Sequence, residues 1–314
     1  MMLDDLKAVE LRSENLGLGI LAGRGGHIEW LRDEIFHRDW LAEFGRQSVA
    51  SRATIFSEGS RAGFDECFPS ITSCADPNPG REGLHIADHG DFWSSAWTIR
   101  SRSETSLVLD TSDIEHPLYM RKSVALETGT ARASIEYHLE NRGKEPYRYI
   151  YSAHPLFSWP ADARIFMPVG VTMSVAFGGE VFPTNFEGRW PTFIHHGNEL
   201  DIGKLAFAGA VVNYKVFVAS SGTCALRIAG YERDLVIETD PTKLPWFGVC
   251  VNRYAWPNSS EQERWIAIEP TTSPCDSLID AIEGGTNLCL LPGETSNWKI
   301  SLSLVTSAEG LRVP

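Results

Sequence analysis

The stretch Arg132-Ala133-Ser134-Ile135-Glu136-Tyr137-His138-Leu139 alternates strictly between polar and apolar side chains. Side chains of a β-strand point to opposite faces with a period of two, so this pattern predicts a strand with one row in a core and one row in solvent. The segments Glu127-Thr128-Gly129-Thr130 and Asn141-Arg142-Gly143-Lys144 on either side are typical of hairpin turns. We therefore expect antiparallel pairing with the neighbouring strands.

Further runs of alternating or β-branched residues, bounded by turn residues, recur along the chain. They cover 18–21, 94–101, 106–110, 119–127, 171–175, 210–219, 224–231, 235–238, 265–269 and 298–305. One helix is predicted, from Asp276 to Glu283, and the segments Ser73 to Glu82 and Phe177 to Gly197 are predicted to be loops at the rim of a cleft. Strands without helical crossovers predict an all-β fold, a large antiparallel β-sandwich with few short helices. With no repeat and no linker, residues 1–314 are predicted to form a single domain.

Charge and composition narrow the possible partners. Forty-one acidic against 28 basic side chains give a formal net charge of -13, which repels nucleic-acid phosphates and anionic membranes. Six cysteines occur without a CxxC pair, which favours free thiols in a reducing compartment. No signal peptide or apolar run of transmembrane length is recognisable, so we expect a cytoplasmic protein that binds neither nucleic acid nor membrane.

His154 and Glu269 each follow an apolar run and precede a proline. An imidazole can give a proton near neutral pH and a carboxylate can take one, so the two suit general acid–base catalysis. A structural role is the alternative for each: His154 as a hydrogen-bonded core residue, and Glu269 as a strand-end carboxylate in water. The residues alone leave both alternatives open.

Two other segments contain polar groups beside aromatic side chains. His89-Gly90-Asp91-Phe92-Trp93 includes an indole whose flat apolar face suits stacking on a small molecule, although a core position is the alternative for Trp93. Upstream, Asp65 and Glu66 stand between phenylalanines. We expect them at the rim or floor of one pocket shared with His89, His154 and Glu269. Their alternative is that one faces water and the other caps a turn.

Metal and cofactor motifs are not recognisable. His85 with His89, and the pair His195-His196, lack a third ligand at the spacing of known zinc sites. The chain also shows no phosphate-binding glycine loop, no GxSxG elbow and no dinucleotide-binding fingerprint. We therefore predict neither a metal nor a cofactor.

The segments Phe64-Asp65-Glu66, His89-Gly90, His154-Pro155-Leu156-Phe157 and Glu269-Pro270, in this order, resemble the motifs of the aldose 1-epimerase (galactose mutarotase-like) family. The resemblance implies a supersandwich fold with His154 as general acid and Glu269 as general base. It also implies that His89 hydrogen-bonds the sugar hydroxyls or the ring oxygen. Asp65, Glu66, Trp93 and Phe157 are our further candidates for binding the sugar. The chain departs from the better-known galactose mutarotases, which carry an arginine where Asp65 and Glu66 stand, and this puts galactose itself in doubt as the substrate.

The resemblance implies an enzyme that interconverts the anomers of a hexose or related small-molecule sugar. Glu269 would remove the proton of the anomeric hydroxyl, and protonated His154 would give one to the ring oxygen, across a space the width of one monosaccharide. Two other functions stay open. One is a non-catalytic carbohydrate-binding protein. The other is a glycosidase or polysaccharide lyase that uses Asp65, Glu66, Tyr151 or Tyr254 opposite the base.

Overall fold

Strands dominate the part of the chain that the computed structural model describes, which comprises residues 7–43, 56, 62–112, 116–160, 162–178, 182, 187–195, 198–205, 211–256 and 263–307. The strands up to residue 160 are β1 (Val9–Arg12), β2 (Leu16–Leu21), β3 (His27–Asp33), β4 (Arg38–Asp39), β5 (Phe64–Cys67), β6 (Cys74–Ala75), β7 (His85–Ile86), β8 (Thr98–Arg102), β9 (Ser106–Ser112), β10 (Leu118–Leu126), β11 (Arg132–Asn141), β12 (Tyr147–Tyr149) and β13 (Ser152–Ser158). The later strands are β14 (Ala163–Phe166), β15 (Thr172–Phe177), β16 (Glu187–Arg189), β17 (Thr192–His195), β18 (Asn198–Asp201), β19 (Val212–Ala219), β20 (Thr223–Ile228), β21 (Arg233–Thr239), β22 (Trp246–Arg253), β23 (Arg264–Thr271), β24 (Leu288–Leu290) and β25 (Thr295–Thr306). Helix α1 (Leu278–Glu283) lies between β23 and β24.

Two large antiparallel sheets contain most of these strands. The first has the order β1-β2-β3-β5-β13-β23-β22-β19-β15-β16-β17-β18, with β4 beside β3. The second has the order β14-β20-β21-β25-β11-β10-β9-β8. Buried side chains of both sheets belong to one apolar cluster, for example Leu18 and Val249 of the first sheet with Ile135 and Leu302 of the second. The predicted all-β antiparallel sandwich is therefore confirmed.

Strand β11 has the alternation that the sequence predicts. Ala133, Ile135, Tyr137 and Leu139 are buried, and the side chains between them are more exposed. The strand pairs with β10 on one side and with β25 on the other, both antiparallel. Alternation is visible in the sequence here because one face of the second sheet packs on the first sheet and the other face meets solvent.

The structure corrects several predicted boundaries. Part of the predicted loop from Phe177 to Gly197 forms strands β16 and β17, two short strands joined at Trp190-Pro191. The helix predicted from Asp276 begins at Leu278, because the Ser277 side chain accepts a hydrogen bond from the backbone N–H of Asp280 and caps it. With six residues it is short, and no described helix is long and apolar enough to cross a membrane.

Candidate functional site

The register of the first sheet sets the predicted acid and base side by side. On β13 and β23, Ser152 pairs with Thr271 and Leu156 with Ala267, so His154 lies opposite Glu269. On the other side of β13, His154 pairs with Asp65 of β5. Residues that face each other on paired strands project to the same side of a sheet. The three side chains therefore form a row on the face of the first sheet that points away from the second sheet.

Glu269 is fully buried, and one of its two carboxylate oxygens is held by donors. Its Oε2 accepts hydrogen bonds from Lys215 Nζ at 2.6 Å and from Ser152 Oγ at 3.3 Å. Lys215 also donates to Asp276 Oδ1 at 2.6 Å. Burial opposes the charged form of Lys215, but the carboxylates of Asp276 and Glu269 outweigh it and raise the pKa of the lysine. Lys215 is therefore a fixed positive charge behind Glu269.

Gly248 makes room for this ion pair. It faces Glu269 on β22, the strand between β23 and the β19 strand of Lys215. A Cβ atom at this position would lie 3.1 Å from Glu269 Oε2 and 3.2 Å from Lys215 Cε. The lysine therefore crosses the sheet surface where the strand between has no side chain.

The other oxygen, Glu269 Oε1, is buried and has no hydrogen-bond partner among the described residues. It lies 3.9 Å from His154 Nε2, and His154 Nδ1 is also buried without a partner. Burial lowers the pKa of His154 to about 3, and the charges of His89 and Lys215 act in the same direction. In this closed site the imidazole is therefore neutral at neutral pH.

This geometry corrects the expected spacing of the two groups. They are neighbours on adjacent strands rather than partners on opposite sides of a sugar. Two groups 3.9 Å apart suit a reaction at two oxygens of one carbon, because both can contact the same small group from one side.

His89 reaches the row from a loop. Its ring centroid is 5.1 Å from that of His154, and its Nδ1 lies 3.0 Å from Asp88 Oδ1. Burial opposes the charge of Asp88, but the hydrogen bond and charge of His89 and a hydrogen bond from the Phe56 backbone lower the pKa of the Asp88 carboxyl. Asp88 thus orients the imidazole of His89.

The backbone at His89-Gly90 is in the left-handed region, with φ angles of 61° and 74°. A Cβ atom at Gly90 would overlap the carbonyl oxygen of Phe68, so only glycine fits here. The backbone N–H of His89 donates to Ile71 O at 2.6 Å, and that of Asp91 donates to Phe68 O at 3.2 Å. The His-Gly pair is therefore the turn that carries the imidazole over the end of β5.

Phe56 covers the two histidines. Its ring stacks on His89 with centroids 3.7 Å apart and planes inclined by 9°, and it meets His154 edge-on at 5.4 Å. Trp93 contacts the same ring edge-on at 5.1 Å. Phe56 is 2% exposed, so it closes this face of the site.

Comparison with known proteins gives a likeness in fold. No family model matches the chain, and no curated protein matches it in sequence. Among solved structures, the Slr1438 protein of Synechocystis sp. PCC 6803 has a TM-score of 0.70 at 14% identity, over 95% of this chain and 96% of that one. A galactose mutarotase-like protein from Lactobacillus casei ATCC 334 has 0.64 at 15%, over 95% and 99%. An aldose epimerase homologue from C. elegans has 0.67 at 12%, over 95% and 98%.

The chain has the galactose mutarotase-like fold. Identities of 12–15% establish the shared fold and leave the activity to be argued from the site. The fold-level resemblance predicted from the ordered motifs is confirmed.

Within the mutarotase-like fold, the remaining predicted site residues divide between the two faces of the first sheet. Asp65 lies on the face of His154, where its Oδ1 is 2.7 Å from Nδ1 of His27. Trp93 is buried beside Phe56, and its Nε1 donates to Asp88 O at 3.2 Å. Glu66 and Phe157 project to the opposite face, into the core between the sheets.

Glu66 and Phe157 therefore do not line the site, which corrects their expected role. Glu66 differs from Asp65 by one position and Phe157 from His154 by three, and an odd offset along a strand reverses the side. Tyr151, an alternative partner for the base, donates to Glu66 Oε2 in the same core.

Sequence reasoning missed three residues that shape the site: Phe56, Lys215 and Cys67. Lys215 stands between Tyr214 and Val216 in an apolar run, and a lysine buried in such a strand is a signal of a paired charge. Phe56 carries no signal. Cys67 shares the face of Asp65, and its thiol lies with His89 and His154 in a group that could hold a metal ion.

Of the pair His85 and His89, which was predicted to lack a metal, His89 belongs to this group and His85 does not. His85 is an exposed residue of β7, and His196 lies outside the described residues.

Proposed function

We propose that this protein is an aldose 1-epimerase-type isomerase, which interconverts the anomers of a monosaccharide by general acid–base chemistry. The observation that carries the proposal is the distance of 3.9 Å between His154 Nε2 and Glu269 Oε1, a carboxylate oxygen that has no hydrogen-bond partner among the residues described. The galactose mutarotase-like fold, in which solved neighbours are described as mutarotase-like or as an epimerase homologue, supports the same reaction.

The reaction needs two proton transfers, one at each of the two oxygens bonded to the anomeric carbon C1. Glu269 Oε1 takes the proton of the anomeric hydroxyl, His154 gives a proton to the ring oxygen, and the bond between C1 and the ring oxygen breaks as the carbonyl forms. Rotation about the C1–C2 bond presents the other face of the aldehyde. Closure returns both protons, so the enzyme ends in its starting state. Each positioned group contributes about 10²- to 10⁴-fold to the rate.

Lys215 and Ser152 prepare the base for this step. Both donate to Oε2, so the carboxylate cannot rotate freely and Oε1 is left as the oxygen that can accept a proton. A group whose orientation is fixed before the substrate arrives loses no rotational freedom during the reaction. Lys215 is in this account a positioning residue, since it contacts Glu269 rather than the reacting atoms.

Phe56 must move aside when a sugar binds. It stacks on His89 and closes over His154, in the place that a sugar ring would take above these two imidazoles. Desolvation is the largest cause of the lowered pKa of His154. Exchange of the Phe56 ring for a hydroxyl-rich sugar therefore brings polar groups to His154 and favours its proton-donating form.

The test is NMR exchange spectroscopy on freshly dissolved aldoses with the full-length protein in the presence of a chelator. We expect interconversion of the α and β anomers faster than the buffer rate for at least one sugar of the panel. Binding of a sugar with exchange at the buffer rate would instead identify a carbohydrate-binding protein. New ultraviolet absorbance on an acidic polysaccharide would identify a lyase. Either result contradicts the proposal.

A further inference from the structure

A thiol and two imidazoles meet at the closed end of the site. Cys67, His89 and His154 each offer one ligand atom, and these atoms lie within 4.8 Å of one another. Cys67 ends β5 and faces Ser152, two positions from His154 on the same side of β13. The three ligands come from two strands and one loop, so they are far apart in sequence and close in the fold.

The surroundings of the histidines point to a ligand at this place. Asp88 Oδ1 occupies Nδ1 of His89, which leaves Nε2 as the free nitrogen, and carboxylates orient metal-binding histidines in this way. His154 Nδ1 and Glu269 Oε1 are buried without hydrogen-bond partners among the described residues. Buried polar atoms are nearly always paired, so two unpaired atoms on these neighbouring side chains point to a bound group at this site.

We propose that Cys67, His89 and His154 form a zinc site, with Glu269 Oε1 beside its fourth position. One thiolate and two imidazoles are ligands that Zn²⁺ takes in sites with three protein ligands and an open position. Mg²⁺ and Ca²⁺ prefer oxygen ligands, so this donor set selects against them. The inference does not rest on the proposed isomerase. A histidine nitrogen that binds zinc cannot give a proton, so the anomer exchange proposed for His154 belongs to the metal-free protein.

Binding requires a small closure and the loss of one proton. Ligand atoms in a tetrahedral site of this kind lie roughly 3.5 Å apart, so the widest separation of 4.8 Å must shrink by about 1 Å through side-chain rotation. The thiol of Cys67 loses its proton to the solvent as the Zn–S bond forms. No other bond changes, and no oxidant or reductant takes part. Phe56, stacked on His89, provides an apolar cover that limits water at the metal.

The test is titration of the chelator-treated, dialysed full-length protein with Co²⁺ as a spectroscopic substitute for Zn²⁺. We expect one equivalent to bind, with a thiolate-to-cobalt charge-transfer band in the near ultraviolet and intense visible bands of tetrahedral Co²⁺. Zn²⁺ should displace the Co²⁺ and remove these bands. Absence of saturable binding, or binding without the charge-transfer band, overturns the proposal.

Variants assign the site. Cys67→Ser should remove the charge-transfer band, and Asp88→Asn should weaken binding by about 10- to 100-fold because it frees the His89 ring. Cys224→Ser is the matched control, since that thiol is equally buried but lies in the core between the sheets, and it should keep the band. A band that persists in Cys67→Ser overturns the proposal.

A further variant keeps the proposal testable if Cys67→Ser does not fold. The triple variant Cys74→Ser/Cys275→Ser/Cys289→Ser removes the cysteines that are not fully buried, and it should bind Co²⁺ with an unchanged spectrum. Loss of the band in this variant assigns the metal to the surface and overturns the proposal. Anomer exchange measured with chelator present tests the isomerase separately, so each proposal can fail alone.

Discussion

Among the described residues, two glutamate–lysine pairs are buried, and they differ in how many carboxylate oxygens accept hydrogen bonds. Glu66 pairs with Lys122 at 2.7 Å and Glu269 with Lys215 at 2.6 Å, and all four residues are at most 3% exposed. Glu66 accepts from Lys122 and Tyr137 on Oε1 and from Tyr151 on Oε2. Within the described part of the chain, Glu269 has donors on Oε2 and none on Oε1.

The difference follows the two faces of one sheet. Glu66 points between the sheets, where Tyr137 of β11 and Tyr151, just before β13, complete its hydrogen bonds. Glu269 points to the outer face, where its free oxygen meets His154. A buried carboxylate with every oxygen occupied stabilises a fold, whereas one with an unoccupied oxygen can take part in proton transfer.

Breaking the Glu66–Lys122 pair in the core should have the largest effect on stability. Glu66→Gln leaves Lys122 charged, buried and without its counter-ion, so we expect the free energy of unfolding to fall by about 3–5 kcal/mol. Urea denaturation followed by tryptophan fluorescence measures it. Glu136→Gln, on the solvent face of β11, is the control and should change little. A loss below 1 kcal/mol would remove the structural role given to Glu66.

Lys215→Met tests the role of Lys215 as the hydrogen-bond donor that positions Glu269. Loss of a charge-assisted hydrogen bond that fixes Glu269 should lower kcat of anomer exchange by roughly 10- to 100-fold, equivalent to about 1.5–3 kcal/mol, with a smaller change in KM. Lys204→Met, at an exposed lysine outside the site, is the control. If KM alone rises, Lys215 binds the sugar instead of positioning the base.

Gly248→Ala tests whether the position of Glu269 matters, because the added methyl group displaces the Glu269–Lys215 pair. The added methyl group would crowd Glu269 Oε2 and Lys215 Cε, so the pair must shift by a few tenths of an ångström. We expect turnover to fall by about threefold to tenfold, because misplacement of about 1 Å costs about 100-fold. Steady-state kinetics of the variant measures it, with unfolding followed in parallel. Unchanged turnover would show that the position of Glu269 is not critical.

Phe56→Ala tests the cover of the site and should give the smallest effect. Its stack on His89 is worth roughly 0.5–1.5 kcal/mol and must be broken before a sugar binds, so its removal should lower KM by about 2- to 10-fold. Phe177→Ala, at an exposed phenylalanine, is the matched control. A raised KM would mean that the ring of Phe56 binds the sugar rather than excludes it.

The sequence predicts the strands of the sandwich well where one face of a sheet is exposed to solvent. Strand β11 alternates because its polar side chains face solvent, and its extent was predicted to within two residues. Strand β5, buried on both faces, and β22, with six consecutive buried residues, show no alternation and were not predicted. Strands of this kind carry no period-two signal.

The candidate site could be predicted from the sequence only in part. His89, His154 and Glu269 stand out beside glycine or proline in ordered motifs, and the register of β13 and β23 brings His154 and Glu269 together. Asp65 and Glu66 are adjacent in sequence, and only the orientation of β5 decides which of them faces His154. Lys215 needs its two carboxylate partners to be recognised, and they come from β23 and the segment before α1.

The central claim is that the free oxygen of Glu269 is the base. Anomer exchange of the best substrate, measured by NMR on wild type and Glu269→Gln side by side, tests it most directly. The account predicts that exchange falls by about 10²- to 10⁴-fold while sugar binding, measured by saturation-transfer NMR, is retained. Full turnover in Glu269→Gln would contradict it.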